Sequence, residues 1–330
     1  MVKYISSDIK IGNTPIVRLN RLEAKYNIKT QLYAKVEYHN PLGSLKNRIS
    51  DALIGDAIKK HKSIKNIVIV EASADNTGIG LAFSASSRGL RSVIVVPEET
   101  SEEKNNMLDL LGARIIFASK GMKDAAIRAK KFCNKVELAV MTCQFDNKVN
   151  PNTHKKTTSK EIFKNIKNLD YFVSGVGTGG TITGVGEVLK RKCPQIKVIA
   201  VEPWKASVLS GKQVKPHIIQ GIGFGFVPSV LNINIIDYIF RSKDYEAVDY
   251  ARSLIITEGL AVGLASGAAI CAGIKLGLTI NDASKKVLIM LPSSSSNELF
   301  ENVPEVSENV SVNVPEVTTE VPEKHEINIT

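Results

Sequence analysis

No apolar run in this 330-residue chain reaches the roughly 20 residues that a membrane-spanning helix needs. Behind the opening Met1-Val2-Lys3-Tyr4 there is no apolar signal segment. Cysteine is sparse: Cys133, Cys143, Cys193 and Cys271 are widely scattered, with no C-x-x-C and no histidine at zinc spacing. Those absences argue against a membrane protein, a disulfide framework and a structural metal, and favour reduced thiols in a cytoplasmic protein. Aromatics are missing from the lysine-rich helical stretches (Lys59, Lys60, Lys62, Lys155, Lys156), so the formal charge of +10 reads as solvated helix faces and not as a nucleic-acid surface. The charge is also uneven. Residues 301–330 hold seven Glu and one Lys, about −6, which leaves about +16 on the rest. Such a field favours anionic substrates and cofactors.

With 43% hydrophobic residues the chain can bury the core of one enzyme-sized unit of two subdomains. Short β-branched runs alternate with helical patterns: Asn66–Val70 then Gly78–Gly89, Ser92–Val96 then Glu102–Gly112, Arg114–Ala118 then Met122–Phe132. The series resumes with Leu169–Ser174, Thr181–Lys192 and Lys197–Val201, and a late strand, Val287–Leu291, ends at Pro292 and four serines. This alternation predicts open α/β sheets with helices on both faces and ligands beyond the C-terminal strand ends. The final 30 residues repeat Val-Pro-Glu three times without aromatics. That composition predicts a disordered acidic tail, or an arm docking on the basic body or a partner.

Two glycine-rich loops follow strands, Asp75-Asn76-Thr77-Gly78 and Gly177-Thr178-Gly179-Gly180-Thr181, and Lys46 sits upstream in Asn40-Pro41-Leu42-Gly43-Ser44-Leu45-Lys46-Asn47-Arg48. A lysine amine can form a Schiff base with an aldehyde, and a helix N-terminus can hold a phosphate. A competing reading exists. Gly175-Val176-Gly177-Thr178-Gly179-Gly180 satisfies G-x-G-x-x-G between a strand and a helix, with Glu202 at the next strand end, the context of an NAD-dependent oxidoreductase. Against it, the match lies in mid-chain, Pro203 follows the acid, and Lys46 and the Asn76 loop stay unexplained.

Taken together, these segments resemble the cysteine synthase and cystathionine β-synthase family of fold-type II pyridoxal-phosphate enzymes. The resemblance runs over about residues 8–292 through Ile11–Leu19, Asn40–Arg48, Asn76–Gly80, Val96–Glu98, Gln144–Asn147, Gly175–Gly184, Val201–Pro203, Gln220–Gly223 and Glu258-Gly259. It implies an α/β fold of two open, mostly parallel sheets flanked by helices, with the cofactor cleft between subdomains, as in tryptophan synthase β. The expected organisation is a segment 1–38 packing on the C-terminal subdomain, an N-terminal subdomain 39–150, a cofactor-phosphate subdomain 151–300 and the acidic tail 301–330. The implied cofactor is pyridoxal 5′-phosphate, held covalently by Lys46, which also moves the α-proton. Gly177, Thr178, Gly179, Gly180 and Thr181 would bind its phosphate, and Asn76 its ring oxygen. Asn76 also fits a helix cap. Ser73, Thr77 and Gln144 would take the carboxylate of a small amino-acid substrate. The implied reaction is β-replacement on an activated serine by a sulfur nucleophile, O-acetylserine and sulfide giving cysteine and acetate, in a homodimer.

The substrate residues depart from the family pattern. Thr-Ser-Gly-Asn-Thr becomes Ser73-Ala74-Asp75-Asn76-Thr77, placing a negative side chain where an anion should bind. Two like charges ~5 Å apart at an effective dielectric near 20 repel by roughly 3 kcal/mol, on the order of a hundredfold in affinity, unless Asp75 turns away, is protonated or meets a cation. A glycine here would also allow a backbone angle that Asp resists. The serine expected to face the pyridine nitrogen is Ala265, with Ser266 as its nearest substitute. Ser295-Ser296-Asn297-Glu298 replaces a Gly-Glu-Arg-Tyr stretch, Asn47 an Asp and Ser159-Lys160 a Gly-Pro, while Phe224 would narrow the site or join the core. Retained cofactor residues beside altered substrate residues leave a second expectation, a non-catalytic relative that binds cofactor or partners and regulates.

Overall fold

The structure is a computed structural model and describes residues 10–61 and 66–294. The expectations for the acidic tail and for Ser295–Glu298 lie outside the described residues. Along the chain come β1 (Ile16–Arg18), α1 (Asn20–Lys25), β2 (Gln31–Val36) and α2 (Lys46–Lys60). Three βα units follow: β3 (Val68–Ala72) with α3 (Asn76–Ser86), β4 (Arg91–Pro97) with α4 (Glu102–Leu110), and β5 (Arg114–Ala118) with α5 (Gly121–Lys135). After the short β6 (Ala139–Met141), α6 (Val149–Lys156) and α7 (Thr158–Asn165) lead to β7 (Tyr171–Gly175), α8 (Gly180–Lys192) and β8 (Lys197–Pro203). The last elements are β9 (Tyr238–Ser242), α9 (Asp244–Glu258), α10 (Leu264–Ile280) and β10 (Lys286–Leu291).

The strands form two sheets, one ordered β5-β4-β3-β6 and the other β1-β2-β10-β7-β8-β9. Every pairing is parallel except that of β1 with β2. The parallel pattern follows from strands buried on both faces. In β3, Ile69 joins one apolar cluster with Leu53 of α2 and Leu81 of α3, while Val68 and Val70 join another with Ala125 and Ala129 of α5. In β10, Val287, Ile289 and Leu291 face one cluster, and Leu288 and Met290 the other. This is the two-residue period of a strand covered by helices on both sides, so the expected α/β class and two-sheet architecture hold.

Element boundaries differ from the sequence reading by one or two residues at several starts. Helix α3 begins at Asn76 and not Gly78, and α8 at Gly180 and not Thr181, because first-turn residues carry no apolar period to mark them. The chain crosses residue 150 inside α6 and not in a linker. The C-terminal strand ends of both sheets meet where the Lys46 turn is stitched to the end of β10. The Leu45 N–H donates to the Pro292 carbonyl at 2.8 Å and the Ser294 N–H to the Gly43 carbonyl at 3.0 Å.

Candidate active site

A cavity of about 410 Å³ occupies that junction. Lys46, Asp75, Asn76 and Lys104 line it from one subdomain, and Gly177, Thr178, Gly179, Thr181, Gln220 and Ala265 from the other. Most of the sequence-predicted cofactor residues therefore share one cleft, at the strand ends where open parallel sheets place ligands.

Lys46 is the first residue of α2, and its N–H donates to the Ser44 hydroxyl at 3.2 Å. Loss of water around its amine lowers the pKa from 10.5 to about 8, against the pull of the nearby Asp75 charge. An appreciable minority of neutral, nucleophilic amine thus exists near physiological pH, far more than for an ordinary lysine.

The second glycine loop ends at Gly179, whose φ of 78° is left-handed, and α8 starts there with no side chain capping it. An uncapped helix start offers free N–H donors and a positive dipole end to an anion. Both loop hydroxyls are held from behind. Asn150 Nδ2 donates to the Thr178 hydroxyl at 3.0 Å, and His154 Nε2 lies 3.2 Å from the Thr181 hydroxyl.

The first glycine loop is arranged differently from expectation. Asp75, not Asn76, occupies the N-cap of α3, in extended backbone at φ −127° and ψ −175° that any residue adopts. The backbone cost expected of Asp at this position is therefore absent. Asp75 and Asn76 form the cleft wall, whereas Ser73, Thr77 and Gln144 lie buried behind it. The Ser73 hydroxyl accepts from the N–H groups of Asp75 at 3.2 Å and Gly78 at 3.0 Å. The Thr77 hydroxyl donates to Gln144 Oε1 at 2.7 Å. Beneath both loops the buried Glu71 carboxylate accepts from the Thr142 hydroxyl at 2.6 Å and the Gln144 N–H at 3.2 Å, and burial pushes its pKa up.

Asp75 does meet a cation. Its Oδ1 lies 3.7 Å from Lys104 Nζ, and Lys104 also donates to Gln220 Oε1 at 2.5 Å across the cleft. Ala265 lines the cleft, while Ser266 is fully buried with its hydroxyl 3.5 Å from the Ser293 carbonyl. Phe224 packs edge-on against Phe145, ring centroids 5.2 Å apart, outside the cleft lining. Glu202, the acid of the dinucleotide reading, is buried and accepts from the Leu209 and Ser210 N–H groups and the Ser210 hydroxyl. It is committed to its own following loop and does not line the cleft.

The sequence profile of the family described as "Pyridoxal-phosphate dependent enzyme" matches residues 8–293. The chain belongs to this family. Among relatives, a cystathionine beta-synthase of Apis mellifera is 41% identical over 306 residues, covering 89% of this chain and 60% of that protein. A cysteine synthase of Buchnera aphidicola subsp. Schizaphis graminum is 40% identical over 313 residues, covering 90% of this chain and 96% of that one. Among solved structures, cysteine synthase from Entamoeba histolytica superposes with a TM-score of 0.86 at 34% identity, covering 92% and 94% of the two chains. An O-ureido-L-serine synthase does so at 0.82 and 35%, covering 90% and 95%.

As in other members of the family, the cofactor is pyridoxal phosphate, and the residues present fit it. The cleft is of small-molecule size, its lysine is desolvated, and the start of α8 is free of any side-chain cap. Among the described residues no three His, Cys, Asp or Glu side chains gather where a metal ion could be held, and no helix is long and apolar enough to cross a membrane. Sequence reasoning missed Lys104, Gln220, Asn150, His154 and Glu71. Only Gln220 lay in a recognised segment, and none carried a local signal, because each joins the site through tertiary packing.

Proposed function

We propose that this chain catalyses β-replacement on an activated serine, as a cysteine synthase does, joining sulfide to the β-carbon of O-acetylserine with loss of acetate. The observation that carries this reading is Lys46, an amine lowered to about 8 on the wall of a cleft that also takes in the uncapped start of α8. Pyridoxal phosphate, when bound, supplies an aldehyde for covalent attachment and a ring that draws electron density from the substrate α-carbon.

The protein's own residues do the rest. Lys46 Nζ holds the cofactor aldehyde at rest, then accepts the α-proton and returns it, for which a pKa near the working pH is suited. The N–H groups at the start of α8, with Thr178 and Thr181, hold the phosphate. Asn76 would hold the ring oxygen, and Ser266, next in the chain to Ala265, would be the substitute partner of the ring nitrogen. The carboxylate of the substrate docks at the start of α3, where Ser73 fixes the loop and Thr77 turns from Gln144 to meet it. We further propose a cytoplasmic homodimer, which sedimentation and cell fractionation check.

The test is to add O-acetylserine to the purified protein and follow the visible cofactor absorbance, then add sulfide and assay cysteine. A spectral shift followed by cysteine supports the reading. No spectral response at millimolar substrate favours a non-catalytic regulator, for which the altered residues Asp75 and Ala265 on the cleft wall speak.

A further inference from the structure

We propose that Lys104 is a substrate-positioning residue that keeps the carboxylate of Asp75 off the start of α3, leaving that helix end open for the carboxylate of an amino-acid substrate. This rests on the reading that residues 73–77 receive that carboxylate.

Aspartate is among the favoured helix N-caps, accepting from the first free N–H groups of its helix. Asp75 stands at the N-cap of the 11-residue α3, yet its side chain makes no capping bond. Its Oδ1 instead faces Lys104 Nζ at 3.7 Å, the two side chains being 19% and 15% exposed at the cleft wall. A self-capping Asp75 would occupy the anion site and repel a second anion. Drawn to Lys104, it does neither, and the ammonium offsets the charge of the carboxylate.

The same ammonium donates to Gln220 Oε1 at 2.5 Å. Lys104 lies on α4 beside the four-stranded sheet, and Gln220 on the loop between β8 and β9 of the six-stranded one. The bond therefore spans the cleft and fixes where the ammonium stands. The acid in the loop is met by a base 29 positions along the chain.

The experiment compares steady-state constants of the holoenzyme for O-acetylserine and for its neutral amide, O-acetylserinamide, with Kd from the cofactor absorbance where turnover is slow. Lys104→Gln is expected to raise KM for O-acetylserine by about ten- to hundredfold, with kcat within about threefold, the size expected of an uncompensated charge ~5 Å from the anion. The amide, which carries no carboxylate charge, should shift by less than about threefold in the same variant. Asp75→Gly/Lys104→Gln should return KM to within about threefold of the parent, because the double variant has neither charge nor cap. An unchanged KM in Lys104→Gln, a double variant no better than the single, or an equal shift for the amide overturns the proposal. Ser73→Ala/Thr77→Val separates the two levels. If it raises KM while Lys104→Gln does not, the proposal alone falls. If neither does, the docking reading of the loop falls with it.

Discussion

His154 Nε2 lies 3.2 Å from the hydroxyl of Thr181, and its Nδ1 lies 2.9 Å from the hydroxyl of Thr158. The ring is fully buried, and desolvation together with the positive charges of Arg48 and Lys46 pushes its pKa down to about 3. It is therefore neutral, with one nitrogen donating and the other accepting, and it sets the direction of the Thr181 hydroxyl. His154→Ala is expected to weaken cofactor binding by about five- to thirtyfold, the worth of roughly one to two kcal/mol of lost hydrogen bonding. The phosphorus resonance of the bound cofactor should move, and neither change should show an inflection between pH 5 and 8. Unchanged affinity and an unmoved resonance would contradict this role. The unfolded chain protonates this residue below its ordinary 6.5, so His154 costs stability as the pH falls from 6.5 toward 3.

The purified protein should be yellow and Lys46→Ala should lose that colour, which absorbance near the cofactor band reads directly. The cofactor-free form offers a further check. Lys46 has its folded pKa depressed from 10.5 to about 8, so between those values the unfolded chain binds the proton and the folded protein does not. Its contribution to stability consequently rises from pH 8 to 10.5 and is least favourable below 8. In urea titrations, cofactor-free Lys46→Met should be more stable than the parent below pH 8, and the gap should close by about 10.5. A gap constant with pH would show that the amine is not desolvated.

The two-sheet architecture was legible because strands buried on both faces must be apolar throughout. Residues such as Val68–Val70 and Val93–Val96 announce themselves without reference to the fold. Lys46 and the loop at Gly177–Thr181 were legible because turn chemistry and helix starts are local. Lys104 was not, since its meeting with Asp75 depends on how α3 and α4 pack, and its bond to Gln220 on how the two sheets face each other. The structure places Ser73, Thr77 and Gln144 close together, but periodicity cannot tell that they sit behind the cleft wall. The N-cap was misplaced by one residue for a related reason: Asp75 and Asn76 are both good caps, and neither side chain caps α3.

In the first turn of the Lys46 helix, Arg48 is buried between two carboxylates, with Nε 2.7 Å from Glu37 Oε2 and Nη1 2.7 Å from Glu161 Oε1. Lys35 Nζ reaches the other oxygen of Glu161 at 2.6 Å. Although burial works to raise the Glu161 pKa, the bonds from Arg48 and Lys35 win and hold it at about 2. The folded pKa is depressed, so this contribution to stability is present above the ordinary value of 4.5 and is lost as the pH falls from there toward 2. Glu161→Gln should flatten the loss of denaturant stability across that window, and an unaltered acid profile would contradict the assignment. Arg48→Met, which removes the guanidinium from the fully buried Glu37 and leaves it the Thr14 hydroxyl, the Asn40 amide and the more distant Lys35 ammonium, is expected to cost about 3–5 kcal/mol in urea unfolding at neutral pH. A cost under about 1 kcal/mol would mean that Glu37 finds water or a proton instead.

Asn150 couples the Gly177–Thr181 loop to the backbone of Gln144, and Gly180 is what leaves it room. Its side chain is fully buried, and Nδ2 donates both to the Gln144 carbonyl at 2.9 Å and to the Thr178 hydroxyl at 3.0 Å. A β-carbon on Gly180 would overlap the amide of Asn150, so Gly180→Ala must displace that side chain. The displaced amide would release the Thr178 hydroxyl on the cofactor side and the Gln144 backbone on the substrate side together. Gly180→Ala should therefore weaken cofactor binding by about tenfold or more, as two hydrogen bonds of a buried group are lost. Asn150→Ala should weaken it to a similar degree, because both changes sever the same link. In the double variant the alanine at position 150 vacates the space that the new methyl needs, so the combined loss should fall well short of the sum of the single losses. Fluorescence titration of the cofactor on the three variants reads this coupling, and strictly additive losses would show that Gly180 is needed for some contact other than Asn150.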